Sequence, residues 1–335
     1  MLHRHINMFV GMVSTHTIHE ISFVSYVLNA SLHAVHHTCP GFRTQSSHAG
    51  QHFNPLARGR MVDTLNREFT FTHIPRIVHL MRAKKSLGQH FLMHARIAER
   101  IAKTATLPRG ATVLEVGPGK GILTRELLKL AEKVIAVEAD DELYKGLCSD
   151  FAREIADNRL QLISDDIRNY PHFDTTALKW GYHVVANIPY YLTGELFRMF
   201  LSAENQPSSM TLLVQKEVAE RIARAKKESI LSLSVKAYGI PAYEFTVPKG
   251  AFVPAPKVDS AVLSIRGISR KNFKNRTEEK CFFELLHAGF VHKRKFVRSN
   301  LAHAGLPAGD IPEKARAEDL SLGVWLALIA ERSPL

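Results

Sequence analysis

Residues 112–138 run through a short apolar strand, a turn with three glycines in five positions, an amphipathic helix, and a second apolar strand that ends in an acid. Few folds accept that order. A strand that feeds a glycine-rich turn and a helix, and is followed by another apolar strand, is a βαβ unit, and a chain that repeats it builds a parallel sheet covered by helices. The turn is Gly117-Pro118-Gly119-Lys120-Gly121, and Glu138 closes the second strand 21 residues after Gly117. Glycines there let backbone approach a ligand, the helix N-terminus favours negative charge, and an acid at that distance meets ribose hydroxyls. The dinucleotide fingerprint places its third glycine one position later, where this chain has Ile122. G-x-G-x-G is nearer the S-adenosylmethionine version, so both a methyl donor and NAD stay open on spacing, with the methyl donor favoured. Lys120 is not a P-loop lysine, because the four-residue spacer and the following Ser or Thr are missing.

Two further strands end in polar residues. Leu160–Ser164 precedes Asp165-Asp166, and the apolar run His183-Val184-Val185-Ala186 precedes Asn187-Ile188-Pro189-Tyr190. Ligands of open parallel sheets sit outside the carboxyl ends of the strands, so Gly117, Glu138, Asp166 and Asn187 are expected around one crevice. One acid at a strand end is often only a helix cap; four such strand-end residues together argue for a site. The Asn187 stretch suits an amine-methylating site. An adenine N6 lone pair is delocalised into the ring, so the enzyme must accept hydrogen bonds from the NH2 while presenting it to the donor. An Asn oxygen and a backbone carbonyl beside Pro189 supply the acceptors, and Tyr190 offers a flat face for an unstacked base. Later, 193–200 reads as a helix, 210–214 as a strand, 216–224 as a basic helix, and 242–247 with 258–265 as an antiparallel pair at the sheet edge. The stiff segment Phe252-Val253-Pro254-Ala255-Pro256 is expected to hold Phe252 opposite Tyr190, sandwiching the base; the plainer alternative is that Phe252 fills the core.

The chain carries a net charge of +12, and residues 81–335 hold 38 Lys+Arg against 29 Asp+Glu, which favours a polyanionic partner. Beyond 267 come a basic linker (Arg270, Lys271, Lys274, Arg276), an amphipathic helix over 278–291, and Lys293-Arg294-Lys295-Phe296-Val297-Arg298, read as a basic stripe continuing that helix. Arg294, Lys295 and Arg298 are the candidate phosphate contacts, and the crevice itself reads as complete without this part. Three scattered cysteines (Cys39, Cys148, Cys281) suit a reducing compartment and argue against a structural zinc site. Residues 1–80 differ from the rest. They hold 11 of the 18 histidines with only 3 acids and keep no period, and they read as a leader before a conventional start at Met81, with an organelle transit peptide as the other possibility. No stretch in them is long and apolar enough to span a membrane.

From about Lys84 onward the chain resembles the small-subunit ribosomal RNA adenine dimethyltransferase family. The resemblance rests on Leu87-Gly88-Gln89-His90-Phe91-Leu92, Glu115-Val116-Gly117-Pro118-Gly119, Val137-Glu138, Asp166, Asn187-Ile188-Pro189-Tyr190, Gln215-Lys216-Glu217-Val218, the run from Phe252 through Pro254-Ala255-Pro256-Lys257-Val258-Asp259-Ser260 to Val262, and Arg294-Lys295 with Arg298. It implies a Rossmann-like α/β methyltransferase domain over 81–266 and a small all-α RNA-binding domain over 267–335. It also implies dimethylation of two adjacent adenosines near the 3′ end of small-subunit rRNA, on the immature subunit, by a cytoplasmic monomer. S-adenosylmethionine would contact His90, Leu92, Gly117, Glu138, Asp166 and Asn187, with Asn187, Pro189, Tyr190 and Phe252 at the reacting base and no metal. His90 stands where Asn is usual in bacterial members, Tyr191 replaces a frequent Asn, and 223–230 lacks the usual Tyr-Gly. Two rivals share the fold: a large-subunit rRNA methyltransferase of the macrolide-resistance type, and a non-catalytic assembly or transcription factor. Members of the first do not usually combine the Pro-Lys-Val-Asp-Ser-Ala run with the Arg-Lys pair; the intact glycine turn, Glu138 and Asn187 argue against the second.

Overall fold

The structure, a computed structural model, describes residues 89–172, 178 and 181–330. The proposed leader, the start at Met81 and the Leu87-Gly88 part of the first motif lie outside the described residues. The sheet has seven strands: β2 (Thr112–Val116), β3 (Lys133–Glu138), β4 (Leu160–Ser164), β5 (His183–Asn187), β6 (Ser209–Gln215), β7 (Ile240–Val247) and β9 (Ser260–Arg266). Their spatial order is β4-β3-β2-β5-β6-β9-β7, parallel from β4 to β6, with β9 antiparallel to both of its neighbours. From β2 the chain winds outward through β3 and β4, then returns to place β5 on the other side of β2. That reversal opens a crevice at the carboxyl ends of β2 and β5.

The strands are apolar on both faces because both are covered, and the period of two divides them between two cores. Val113, Val134, Ala136, Val185, Leu213 and Val262 face one layer. It contains α1 (Ala95–Thr104) and α2 (Ile122–Leu130), which pack together. The buried residues of α1, Ala98, Ile101 and Ala102, recur at helical spacing and make one face of it apolar. Leu114, Val116, Ile135, Val137, Val184 and Ala186 face the other layer, with α5 (Thr193–Ser202), α6 (Lys216–Ala223) and α7 (Ile230–Tyr238). Two further helices, α3 (Asp141–Asp150) and the short α4 (Ala152–Ala156), follow β3.

The second layer does not stop at 266. The helices beyond it are α8 (Arg276–Phe290), α9 (Val297–His303) and α10 (Leu322–Ala330). Their Phe282, Leu285, Leu286 and Trp325 belong to the same hydrophobic cluster as Leu233, Val235 and Tyr238 of α7 and the strand side chains. The C-terminal part is all α, yet it shares its core with the sheet. A polar clasp reinforces the joint. Buried Glu279 accepts hydrogen bonds from the Tyr238 hydroxyl, from Arg270 Nε (3.2 Å) and from Arg276 Nη1 (2.8 Å), while Arg270 Nη2 donates to the Ala203 carbonyl (2.6 Å) at the end of α5. Burial alone would raise the Glu279 carboxyl; these donors hold it below its usual range.

One sequence expectation fails here. The basic stripe does not continue α8: residues 291–296 turn, and α9 starts at Val297, whose N–H donates to the Ala315 carbonyl (2.9 Å). That hydrogen bond redirects the chain where no Gly or Pro marks a break.

Candidate active site

The crevice at the carboxyl ends of β2 and β5 is lined by His90, Leu92, Glu115, Gly117, Glu138, Asp166, Asn187, Pro189, Tyr190 and Tyr191, among others. The residues expected at the methyl donor and the reacting base all meet there, except Phe252. Each is placed by an identifiable local cause. Gly119 takes φ +58, and a Cβ on it would come within 3.2 Å of the Phe91 ring, so the turn lies close under the segment before α1. Its N–H donates to Glu138 Oε2 (3.0 Å), and the Asp140 N–H donates to Oε1 (3.0 Å). Glu138 is thereby fixed at the tip of β3. Two of a carboxylate's roughly four acceptor positions are used, and the others remain for ligand hydroxyls. Burial raises its pKa; the backbone donors oppose the rise.

Asn187 is oriented by its own amide. Nδ2 donates to the His90 carbonyl (3.2 Å), which turns Oδ1 the other way as an acceptor. The His90 ring in turn bonds the Pro254 carbonyl through Nδ1 (2.7 Å), so Nδ1 carries the proton, since a carbonyl only accepts. The same ring lies 5.8 Å from that of Tyr190 at an interplanar angle of 27°. The Tyr190 hydroxyl is tied to Ser260 Oγ (2.7 Å), and burial raises its pKa.

Phe252 is the correction. It belongs to the short strand β8 (Phe252–Val253), which pairs antiparallel with β1 (Phe91–Leu92), Phe252 opposite Leu92. Alternation along β8 sends Phe252 inward, 3% exposed, into the core with Leu92, Ala98 and Val262, and Val253 outward, 50% exposed. The ring beside Tyr190 is His90. Asp166 also differs from expectation in its bonding. It lines the crevice, but Arg168 holds both its oxygens, Nε on Oδ1 (3.0 Å) and Nη2 on Oδ2 (2.5 Å), and this pairing lowers its pKa. Arg298 is exposed with Nη1 on the Ile311 carbonyl (3.0 Å), whereas Arg294 and Lys295 stand exposed in the turn. No group of His, Cys, Asp or Glu suited to a metal occurs among the described residues.

Sequence reasoning passes over Glu115. It sits inside the glycine motif at 1% exposure, with Oε2 unpartnered, on the crevice wall. Burial pushes its carboxyl up to about 8, and the charge of Glu138 adds to the rise. The available signal is a strand whose fourth residue is Glu among apolar neighbours.

A mostly parallel sheet with one antiparallel strand inserted near its edge, and a crevice of glycine turn, ribose-distance acid and Asn-x-Pro-Tyr, define a Rossmann-like methyltransferase. Residues 80–331 match the family model for ribosomal RNA adenine dimethylase, and the chain belongs to that family. A ribosomal RNA small subunit methyltransferase A from Dehalococcoides mccartyi is 39% identical over 76% of this chain and 91% of its own length. One from Fusobacterium nucleatum is 34% identical over 73% and 96%. The crystal structure of a Plasmodium falciparum dimethyladenosine transferase aligns with TM-score 0.59 at 25% identity, covering 72% of this chain and 97% of that one. The 23S rRNA methyltransferase ErmE, also at TM-score 0.59 but 24% identical, shares the fold.

Proposed function

We propose that this protein dimethylates N6 of adenine in small-subunit ribosomal RNA, using S-adenosylmethionine. The observation that carries the reading is the orientation of Asn187. With Nδ2 held by the His90 carbonyl and Asn187 lining the crevice, Oδ1 is the acceptor it would offer, which is what an adenine NH2 needs from its site. The Pro189 carbonyl already accepts from the Leu192 N–H (3.0 Å), and the carbonyl of Ile188, which also lines the crevice, would serve as the second acceptor. Accepting both N6 protons localises the nitrogen lone pair and aims it. Tyr190, pinned through its hydroxyl, gives the base a face to lie against. Bound S-adenosylmethionine supplies an electrophilic methyl on a sulfonium. Glu138 would take the ribose hydroxyls, the glycine turn would lie along the methionine part, and Asp166 would meet the donor's adenine on the lone pairs that Arg168 leaves. Buried, neutral Glu115 fits beside the donor as a polar wall that adds no second negative charge next to Glu138.

The basic turn at 293–295 would hold RNA. Lys293 also borders a cavity of about 490 Å³ between the sheet helices and the C-terminal helices, together with Arg221 and Lys227. Arg221 is paired there with Glu217 and Lys227 with Glu318, so Lys293 is the cation of this cavity that a phosphate could take without displacing a carboxylate. An immature small subunit as the form of the substrate, a monomer, and a cytoplasmic location complete the proposal; no helix among the described residues is long and apolar enough to cross a membrane. The small-subunit target is preferred to the large-subunit one because the relatives at 34–39% identity carry the small-subunit name. Mass spectrometry of rRNA from cells with and without the protein tests it. Loss of N6,N6-dimethyladenosine from small-subunit rRNA alone is expected, and its loss from large-subunit rRNA instead would overturn the assignment.

A further inference from the structure

Among the described residues eight large apolar side chains are exposed; one, Tyr191, lines the crevice, and three others, Met93, Val253 and Val258, lie within two residues of groups that are bonded to its walls or are part of them. Met93 follows β1 and its N–H donates to the Ala251 carbonyl (3.0 Å) just before β8; Val253 is the outward residue of β8. Val258 lies two residues before Ser260, the partner of the Tyr190 hydroxyl. Tyr191 is 60% exposed on the short turn of helix that carries Tyr190, and it lines the crevice itself. Exposed apolar groups are ordinary when scattered; gathered around a site they mark something that covers them.

We propose that this rim is a second base-binding surface, in which Tyr191 stacks on the nucleotide next to the target adenine. The proposal rests on the adenine-methylating reading above. Turning one base out of a stacked run leaves its neighbour with a bare face, and an exposed aromatic at the crevice mouth restores the missing stack. Val253, Val258 and Met93 would extend the apolar surface beside it, and exposed Lys257, next to Val258 in the chain, would be available to a phosphate. The surface is small, centred on one aromatic ring at the crevice, and adjoins this charge. It therefore suits a nucleotide already anchored in the crevice better than it suits a protein, whose stable interfaces bury about 1,200–2,000 Å².

The test uses the full chain with an RNA bearing 2-aminopurine beside the target adenine. Tyr191→Ala should raise KM for RNA about tenfold, the size of one base–aromatic stack, a larger change than in kcat or in S-adenosylmethionine affinity. Tyr191→Phe keeps the ring and should keep the wild-type KM. Wild type and Tyr191→Phe should quench the 2-aminopurine, and Tyr191→Ala should not. Unchanged KM and quenching in Tyr191→Ala would overturn the proposal. So would equal losses of RNA and donor affinity, which would make Tyr191 part of the crevice scaffold, or a wild-type dimer that Tyr191→Ala dissociates, which would make the rim a contact between copies. Absence of dimethyladenosine with the wild-type chain would overturn the functional reading itself, whereas an active wild type and an unaffected Tyr191→Ala overturn only the rim.

Discussion

The crevice and the C-terminal joint treat charge in opposite ways. In the crevice three polar side chains are held by fixed partners: Glu138 by two backbone N–H groups, Asn187 by the His90 carbonyl, Tyr190 by Ser260. At the joint the cations divide. Arg270 and Arg276 are committed to Glu279, whereas Lys293, Arg294 and Lys295 stand exposed, with no carboxylate at ion-pair distance among the described residues. A small ligand demands fixed geometry before it arrives; a polyanion demands uncommitted charge and tolerates mobile side chains. The difference separates the residues that would choose the reaction from those that would hold the RNA, and it shows that a basic cluster in a sequence mixes structural and functional cations.

The largest effect should come from cutting the two regions apart. All crevice-lining residues precede 193, so the crevice looks independent of the C-terminal helices. Its support is not. Ending the chain at Arg266 removes Phe282, Leu285, Leu286 and Trp325 from the shared core, each about 1.5–3 kcal/mol of burial, and strips Tyr238 of its Glu279 partner. That sum rivals the whole stability of a typical domain. A chain ending there should be insoluble or lack a cooperative melt; a soluble truncated chain that binds S-adenosylmethionine would show two independent cores after all.

Next in size, Asn187→Ala should lower methyl transfer by on the order of 10²–10³, the loss found when one polar group aimed at a reacting centre is removed. Circular dichroism and melting should be near wild type, because the partner left behind, the His90 carbonyl, lies at a part-buried site. Near-normal turnover in this variant would show that Asn187 does not aim the amine.

How far the sequence reaches follows the same division. The crevice is legible because strand ends and turns are local: a glycine run, an acid 21 residues on, a polar residue after each apolar strand. What escapes depends on distant partners. Two prolines announce that 252–256 is stiff but not which way Phe252 points, which is set by β8 pairing with β1. The helix α7 is hidden in the sequence because it is buried on most sides, so no polar face reveals its period. Its N-terminal capping box also uses Ser229 with Ser232 where Glu is the usual signal. The turn at 291–296 resembles helix because Lys and Arg are good helix formers, and only the hydrogen bond to Ala315 reveals the bend. Arg270 and Arg276 look like a solvated linker because nothing in their own stretch identifies Glu279 as buried.

The buried acid of the crevice offers a test through pH. Glu115 has a folded-state pKa of about 8 against an ordinary 4.5. Below about 4.5 both states hold the proton. Between 4.5 and 8 the unfolded chain has released it and the folded chain keeps it, so stability falls as pH rises; above 8 both have released it and the destabilisation is constant. Glu115→Gln should therefore gain stability relative to wild type across that window, by on the order of a few kcal/mol at its top, with little difference near pH 4. A melting difference that stays the same from about pH 5 to about pH 9 would mean that the carboxyl is not held neutral.

The smallest effects should distinguish cations within the basic turn. Removing one cation that pairs with a phosphate lowers the slope of log K against log salt by about one unit. Replacing Arg294, Lys295 and Arg298 together by Gln should flatten binding to small-subunit particles by roughly two to three, without changing affinity for S-adenosylmethionine. The three are not equivalent. Arg294 and Lys295 carry no structural duty, so their double replacement should account for about two units at no cost in stability. Arg298 has a guanidinium N–H on the Ile311 carbonyl, which holds one edge of the side chain against the protein and leaves the other edge for a phosphate. Arg298→Gln should therefore change the slope by less than about one unit and lower stability by about 1 kcal/mol, the net worth of one hydrogen bond. An unchanged slope in the Arg294 and Lys295 pair would break the comparison itself, because uncommitted charge would then not be what holds the RNA. Arg221 and Lys227, which border the joint cavity but are paired with Glu217 and Glu318, would then be the next cations to replace.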